Sequence, residues 1–326
     1  MQRIVATLAA VLMAVPLAAG PLSAQSYPSR YVTLIVPYAP GGSVDAVARV
    51  VAAKVGDKLG QSLLVDNVAG AGGIVGTQKA STAAPNGYTL LFSVESTMAI
   101  AKLVSPNTVQ YDSQKDFVPI TLIGTSPLVL AGKKSLPANN IAELMTLLRD
   151  SPGQYNYATS GVGTSLHVAG EMINQQGHVS MVHVPYRIGS QMVTDLVGDQ
   201  IDLALLPLVM ALPNYQSGSI KAFGVTEPTR SPVAPDIPSL AEYPDLKDVD
   251  VTVWFGLFAP AKTDPVVVAR LHDAAVAALQ DPEMRGKLTE MGLRIVGNTP
   301  AEFSAFLSDE INKFAAVVKT ANIRAE

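Results

Sequence analysis

Apolar positions along this chain follow two alternating periods. Residues 31–38, 62–66 and 88–94 are short apolar runs of strand type. Between the first two, Ser43–Leu59 sets Val44, Val47, Val51 and Val55 at helical spacing, and 72–84 reads as a second helix. An Asn86-Gly87 turn leads into the third strand. This strand–helix–strand–helix–strand order predicts an α/β fold with a parallel, doubly wound sheet.

A second α/β set follows a long apolar stretch at 119–130. It opens with a helix at 141–149, with Asn139-Asn140 in capping position. Then come a strand at 155–158, a helix at 164–175, a strand at 179–184, a helix at 190–197, and strands at 201–206 and Ile220–Val225. Pro-rich residues 228–244 form a connection, 251–259 are apolar again, and two amphipathic helices at 264–280 and 300–321 follow. The economical layout is two α/β lobes, 27–126 with 250–326 and 127–249. Stretches 119–130 and 251–259 cross between them, and the C-terminal helices return to the first lobe. A cleft is then expected at the carboxyl ends of the strands.

Two Gly-rich, hydroxyl-bearing loops stand at that cleft, Tyr38-Ala-Pro-Gly-Gly-Ser43 and Ala158-Thr-Ser-Gly-Val-Gly-Thr-Ser165. Each follows a strand and opens a helix, with Ser43, Thr164 or Ser165 as N-cap. Such a unit aims free N–H groups and a positive helix end at its guest, and a carboxylate suits both. Two of them suggest two lobes gripping one small anion.

Composition narrows the classes. Hydrophobic residues make up 48% and charged residues 15% of the 326-residue chain, which describes a packed globular protein. The length exceeds what one core supports, so two domains are expected. The net charge is -4 without a Lys/Arg cluster, so nucleic acid is not an expected partner. Met1-Gln-Arg3, an apolar run at 4–19 and Leu22-Ser-Ala24 before Gln25 read as a cleaved export signal over 1–24. The run is shorter than the roughly 20 residues that span a bilayer. With no Cys there is no lipid-anchoring thiol and no disulfide framework. A periplasmic protein is expected, with no sign of obligate oligomerisation, so a monomer.

Other candidate chemistry is weak. In Gly70-Ala-Gly-Gly-Ile-Val-Gly76 the third glycine of a dinucleotide fingerprint is replaced by Val75, so the segment reads as a Gly-rich turn. Ser43, Ser96 and Ser165 lie in no Gly-x-Ser-x-Gly elbow. His167, His178, His183 and His272 have no metal-ligand spacing. No cofactor, metal or catalysis is expected. His167, one turn into the second loop's helix, either touches a ligand or is structural. Glu95, just past a strand end, is either a solvated loop carboxylate or a partner for an ammonium or amide on the ligand. Trp254, Phe255 and Phe258 read as core.

Several segments, in order, resemble one family. They are Val36-Pro-Tyr-Ala-Pro-Gly-Gly-Ser-Val-Asp-Ala-Val-Ala-Arg49, Ala69-Gly-Ala-Gly-Gly73, Ala84-Pro-Asn-Gly-Tyr-Thr-Leu90, Tyr155-Asn-Tyr-Ala-Thr-Ser-Gly-Val-Gly-Thr-Ser165, His183-Val-Pro-Tyr186 and Trp254-Phe-Gly-Leu-Phe-Ala-Pro260. Together they resemble the tripartite tricarboxylate transporter substrate-binding receptors, the Bug family, from about residue 30 to the C-terminus. The resemblance implies a type II periplasmic binding fold that closes on a small organic acid and delivers it to membrane transporter subunits. It implies one carboxylate held by backbone amides of the 38–43 and 160–165 loops, partly through water.

On this chain the implied anion grip is Gly41, Gly42 and Ser43 on one lobe, and Ser160, Gly161, Gly163, Thr164 and Ser165 on the other. Tyr38 and Tyr186 form walls with polar tips, and Ala39, Pro40, Asp45, Glu95, Ser96 and Val162 complete the expected contacts. Two positions depart from the family. Leu206-Pro207 stands where many relatives have Asp-Asn, and Glu95 where they carry a small or hydroxyl residue. An acid at 95 repels a second carboxylate, and about 1–2 kcal/mol suffices for a roughly tenfold preference. A monocarboxylate, or a ligand with an amine or amide, is expected over citrate. A periplasmic esterase or amidase is the competing class, without a nucleophile–base signature. A sensor for a membrane partner would use the same fold and stays open.

Overall fold

The computed structural model describes residues 27–187, 189–320 and 323–324. The export signal expected at 1–24, and Ala321 at the end of the last expected helix, lie outside the described residues. In chain order the elements begin β1 (Val32–Val36), α1 (Ser43–Leu59), β2 (Leu63–Asn67), α2 (Ile74–Ser81), β3 (Thr89–Val94), α3 (Ala101–Val104) and β4 (Phe117–Lys133). They continue α4 (Ile141–Asp150), β5 (Asn156–Thr159), α5 (Ser165–Gly177), β6 (Val182–Pro185), α6 (Gly189–Val197), β7 (Leu203–Pro207), α7 (Leu208–Gln216) and β8 (Ile220–Val225). The last are β9 (Thr252–Pro260), α8 (Pro265–Leu279), α9 (Pro282–Glu290), β10 (Arg294–Ile295) and α10 (Pro300–Thr320).

The strands run in the order β2-β1-β3-β9-β4-β7-β5-β6, with β8 and β10 also on β4. β1 pairs in parallel with β2 and β3, and β5 in parallel with β6 and β7. The antiparallel pairs all involve β9 or β4. β4 is the common member. Its first part, Phe117 to Pro127, pairs with β9, and from Leu128 onward it pairs with β7 and β8. The result is two α/β lobes of the type II binding-protein kind sharing one long strand. Thr226 fastens the crossing: its hydroxyl donates to the carbonyl of Val251 and accepts from Leu128 N–H at 3.0 Å.

Burial follows the apolar pattern. α1 turns Val44, Val47, Ala48, Val51, Ala52, Val55 and Leu59 inward and packs against α8. Trp254, Phe255 and Phe258 on β9 are fully buried. The Trp254 ring meets Phe303 of α10 edge-on at 5.7 Å, and its indole N–H donates to Glu310 at 3.0 Å. Each such ring contributes on the order of 2–3 kcal/mol by leaving water.

Three local expectations are corrected. The N-cap of α1 is Gly42, in extended conformation, with no side chain capping it, so Ser43 is already the first helical residue. The segment expected as helix 72–84 begins with a 3-10 turn at Ala71–Gly73, because Gly72 and Gly73 adopt positive φ, and only Ile74–Ser81 is α-helical. Beyond Asp281 there is a further helix, α9, whose first turn is held by the Asp281 carboxylate accepting from Glu283 and Met284 N–H.

Candidate ligand-binding site

The carboxyl ends of β1, β3, β5, β6 and β7 surround a cavity of about 950 Å³. From the β1 loop come Tyr38, Ala39, Gly42 and Ser43; from the end of β3, Glu95 and Ser96; from the β5 loop, Ser160, Gly161 and Val162; and from the β6 loop, Tyr186. Pro40, Gly41, Asp45 and Ser165 do not line it, and Gly163 and Thr164 border a smaller neighbouring pocket.

The reasons lie in the hydrogen bonds. Asp45 points back into its own loop, accepting from Gly41 N–H at 2.9 Å, Asn67 Nδ2 at 2.9 Å and Arg49 Nε at 3.0 Å. Burial opposes its charge, but the bonds from Arg49, Gly41 and Asn67 outweigh it and hold the carboxyl below its usual range. Asn67 also donates to Tyr38 O at 3.0 Å, so one acid and one amide fix the whole 38–45 turn. The Gly41 amide, expected in the grip, is therefore engaged within the protein. At the head of α1, the N–H groups of Gly42, Ser43 and Val44 have no partner among the described residues. These three residues, at the positive end of a 17-residue helix, line the cavity.

The second loop is more fully occupied. Gly161 N–H donates to Thr159 Oγ1 at 3.2 Å, Gly163 N–H to His167 Nδ1 at 3.1 Å, and Ser165 N–H to Ser96 Oγ at 3.3 Å. Ser160 and Val162 keep unpartnered N–H groups among the described residues. Gly163 holds φ at +75°, and a Cβ there would sit 2.6 Å from Val104 Cγ2 on α3, so only glycine permits this approach.

His167 is a buttress beneath this loop. Its Nδ1 accepts from Gly163, and its ring stacks on His183 at 4.0 Å between centroids. His183 Nε2 bonds Thr159 Oγ1 at 2.6 Å. Burial depresses both imidazoles, and the neighbouring His167 charge pushes His183 further, down to about 4. The Gly163 bond requires an unprotonated Nδ1 on His167, in keeping with that depression.

Glu95 is not solvated; it is 1% exposed. Although it borders the cavity, both carboxylate oxygens are engaged. Oε1 accepts from Ser165 Oγ at 2.5 Å and Ser96 Oγ at 3.1 Å, and Oε2 from Trp254 N–H at 3.0 Å. Protein donors thus fill the role expected for a ligand amine or amide. Burial raises its pKa to about 7, against the pull of those hydrogen bonds.

Pro207, expected from the Leu206-Pro207 departure as a pocket wall without polar side chains, ends β7 and lines the cavity. Sequence reasoning missed Leu166, Met192, Met210 and Val253, which bring apolar side chains from α5, α6, α7 and β9. Arg187, directly after Tyr186, is the one cationic side chain on the cavity wall among the described residues and has no ion-pair partner there. Its place past the end of β6 was the available signal. The loop 69–73, noted only as a motif, lines the other lobe.

Two α/β lobes around a cleft with open amides define a solute-binding protein. The chain belongs to the tripartite tricarboxylate transporter family receptors, whose family pattern matches residues 47–323. It is 32% identical to BugT of Bordetella pertussis over 303 residues, covering 92% of each chain. Among solved structures, a periplasmic transporter shares 38% identity at a TM-score of 0.88, covering 92% of this chain and 99% of the other. An R. palustris protein with adipate shares 30% at 0.87, covering 91% and 99%. MatC from Rhodopseudomonas palustris with bound malate shares 31% at 0.84, covering 90% and 100%. Family and neighbours are binding proteins and not enzymes.

Proposed function

We propose that this chain is a periplasmic receptor that captures a small organic acid by closing its lobes, 27–126 with 250–326 against 127–249, and delivers it to a tripartite tricarboxylate-type membrane transporter. The observation that carries this reading is the uncapped head of α1, where Gly42, Ser43 and Val44 offer three N–H donors to the cavity. Arg187 adds positive charge on the other lobe. The adipate- and malate-bound relatives support carboxylates as the ligand class. Ligand bridging both lobes favours the closed state by its differential affinity.

A thermal-shift panel of carboxylic acids tests it. An acid at about 100 times its Kd adds roughly 2.7 kcal/mol and moves Tm by several degrees. No shift with any acid would overturn the reading.

A further inference from the structure

We infer that the cleft selects acids with an apolar body, of aromatic or branched-aliphatic size, over hydroxyl-rich acids; this rests on the receptor reading above. On the polar part of the wall, Gly42, Ser43, Val44, Ser160 and Val162 keep open N–H groups, the Tyr38 hydroxyl is buried without a partner, and Arg187 has no ion-pair partner among the described residues. Glu95, the one carboxylate on the wall among the described residues, is 1% exposed and accepts from Ser96, Ser165 and Trp254.

The part of the cavity built by α5, α6, α7 and β9 presents Leu166, Met192, Met210 and Val253, with Pro207 at the end of β7. None of these side chains donates a hydrogen bond, and Pro207 has no backbone N–H either. A hydroxyl placed there gives up water for no partner, whereas an apolar ring or branch gains from the same surface. Methionine flanks adapt to irregular apolar shapes. The volume, about 950 Å³, lies near the upper end of the range for small-molecule sites and leaves room for more than a four-carbon chain.

Isothermal titration of the mature protein with benzoate, cyclohexanecarboxylate, malate and citrate tests this. The expected result is that at least one of the first two binds ten or more times tighter than both hydroxy acids. If malate or citrate binds as tightly as the apolar acids, the selectivity inference falls while the receptor reading stands. If none of the four binds, the selectivity inference falls, and the receptor reading is decided by the wider thermal-shift panel. Met210→Gln, at a partly exposed position, should shift the benzoate-to-malate affinity ratio toward malate by about tenfold with Tm unchanged. An unaltered ratio in a folded variant overturns the assignment of that wall.

Discussion

The hydroxyl of Ser165 donates to the Glu95 carboxylate at 2.5 Å, joining the first residue of α5 in one lobe to the end of β3 in the other. Trp254 N–H brings β9 to the same acid. One buried carboxylate therefore ties α5 of one lobe to the paired strands β3 and β9 of the other.

The ionisation of Glu95 should be visible in stability. Its native pKa of about 7 lies above its ordinary 4.5, so the folded state holds a proton that the unfolded state has released. The contribution is fully present below pH 4.5, declines as pH rises toward 7 and is flat above that. The whole excursion is on the order of 3 kcal/mol. Glu95→Gln removes this slope. Its stability relative to wild type, read from urea unfolding, should increase from pH 4.5 to 7; a constant difference would refute the assignment.

The stacked histidines run the other way. Their native pKa values are depressed, so their contribution is present above pH 6.5 and lost as pH falls toward 4. Protonated His167 no longer accepts from Gly163, and the 160–165 loop loses its support. Proton NMR of the imidazole signals should place the His183 midpoint near 4. A midpoint near 6.5 would mean the ring is not buried as described.

Gly163→Ala tests the approach of the lobes. Left-handed backbone alone costs about 1–2 kcal/mol for an L-residue, and the clash with Val104 adds to it. Adding Val104→Ala should recover the steric part and leave the backbone part. Thermal melts of the single and double variants separate the two; no recovery would show that Val104 is not the obstacle.

Arg187→Gln should weaken acid binding about two- to fivefold, because an exposed cation contributes about 1 kcal/mol at most. The wild-type advantage should shrink as salt rises from 0.05 to about 0.5 M, where screening shortens the reach of the charge. Equal affinities at low salt would remove Arg187 from the site.

Most of the framework was legible because helical and strand periods are strong here. Ser43–Leu59 and Ile220–Val225 appear in the structure with the bounds read from the pattern. Helix α7 was not legible, since Pro213 interrupts its apolar run; α9 was missed although Asp281-Pro282 is a recognisable start. In the site, loop positions were legible but amide occupancy was not. Whether Gly41 or Gly163 offers a free N–H depends on Asp45 and His167 folding back onto their own loops. The place of Glu95 after a strand suited a solvated carboxylate or a ligand partner equally, and only its contacts with Ser165 and Trp254 show that protein donors engage it.

The position of β9 in the sheet carries a consequence in time. The strands of one lobe, β4 through β8, come from one continuous stretch of chain that is made before β9. The other lobe has a gap between β3 and β4 that only residues from Thr252 onward can fill. Its sheet cannot close until the chain is almost complete, so the cleft is the last part of the molecule to come into being.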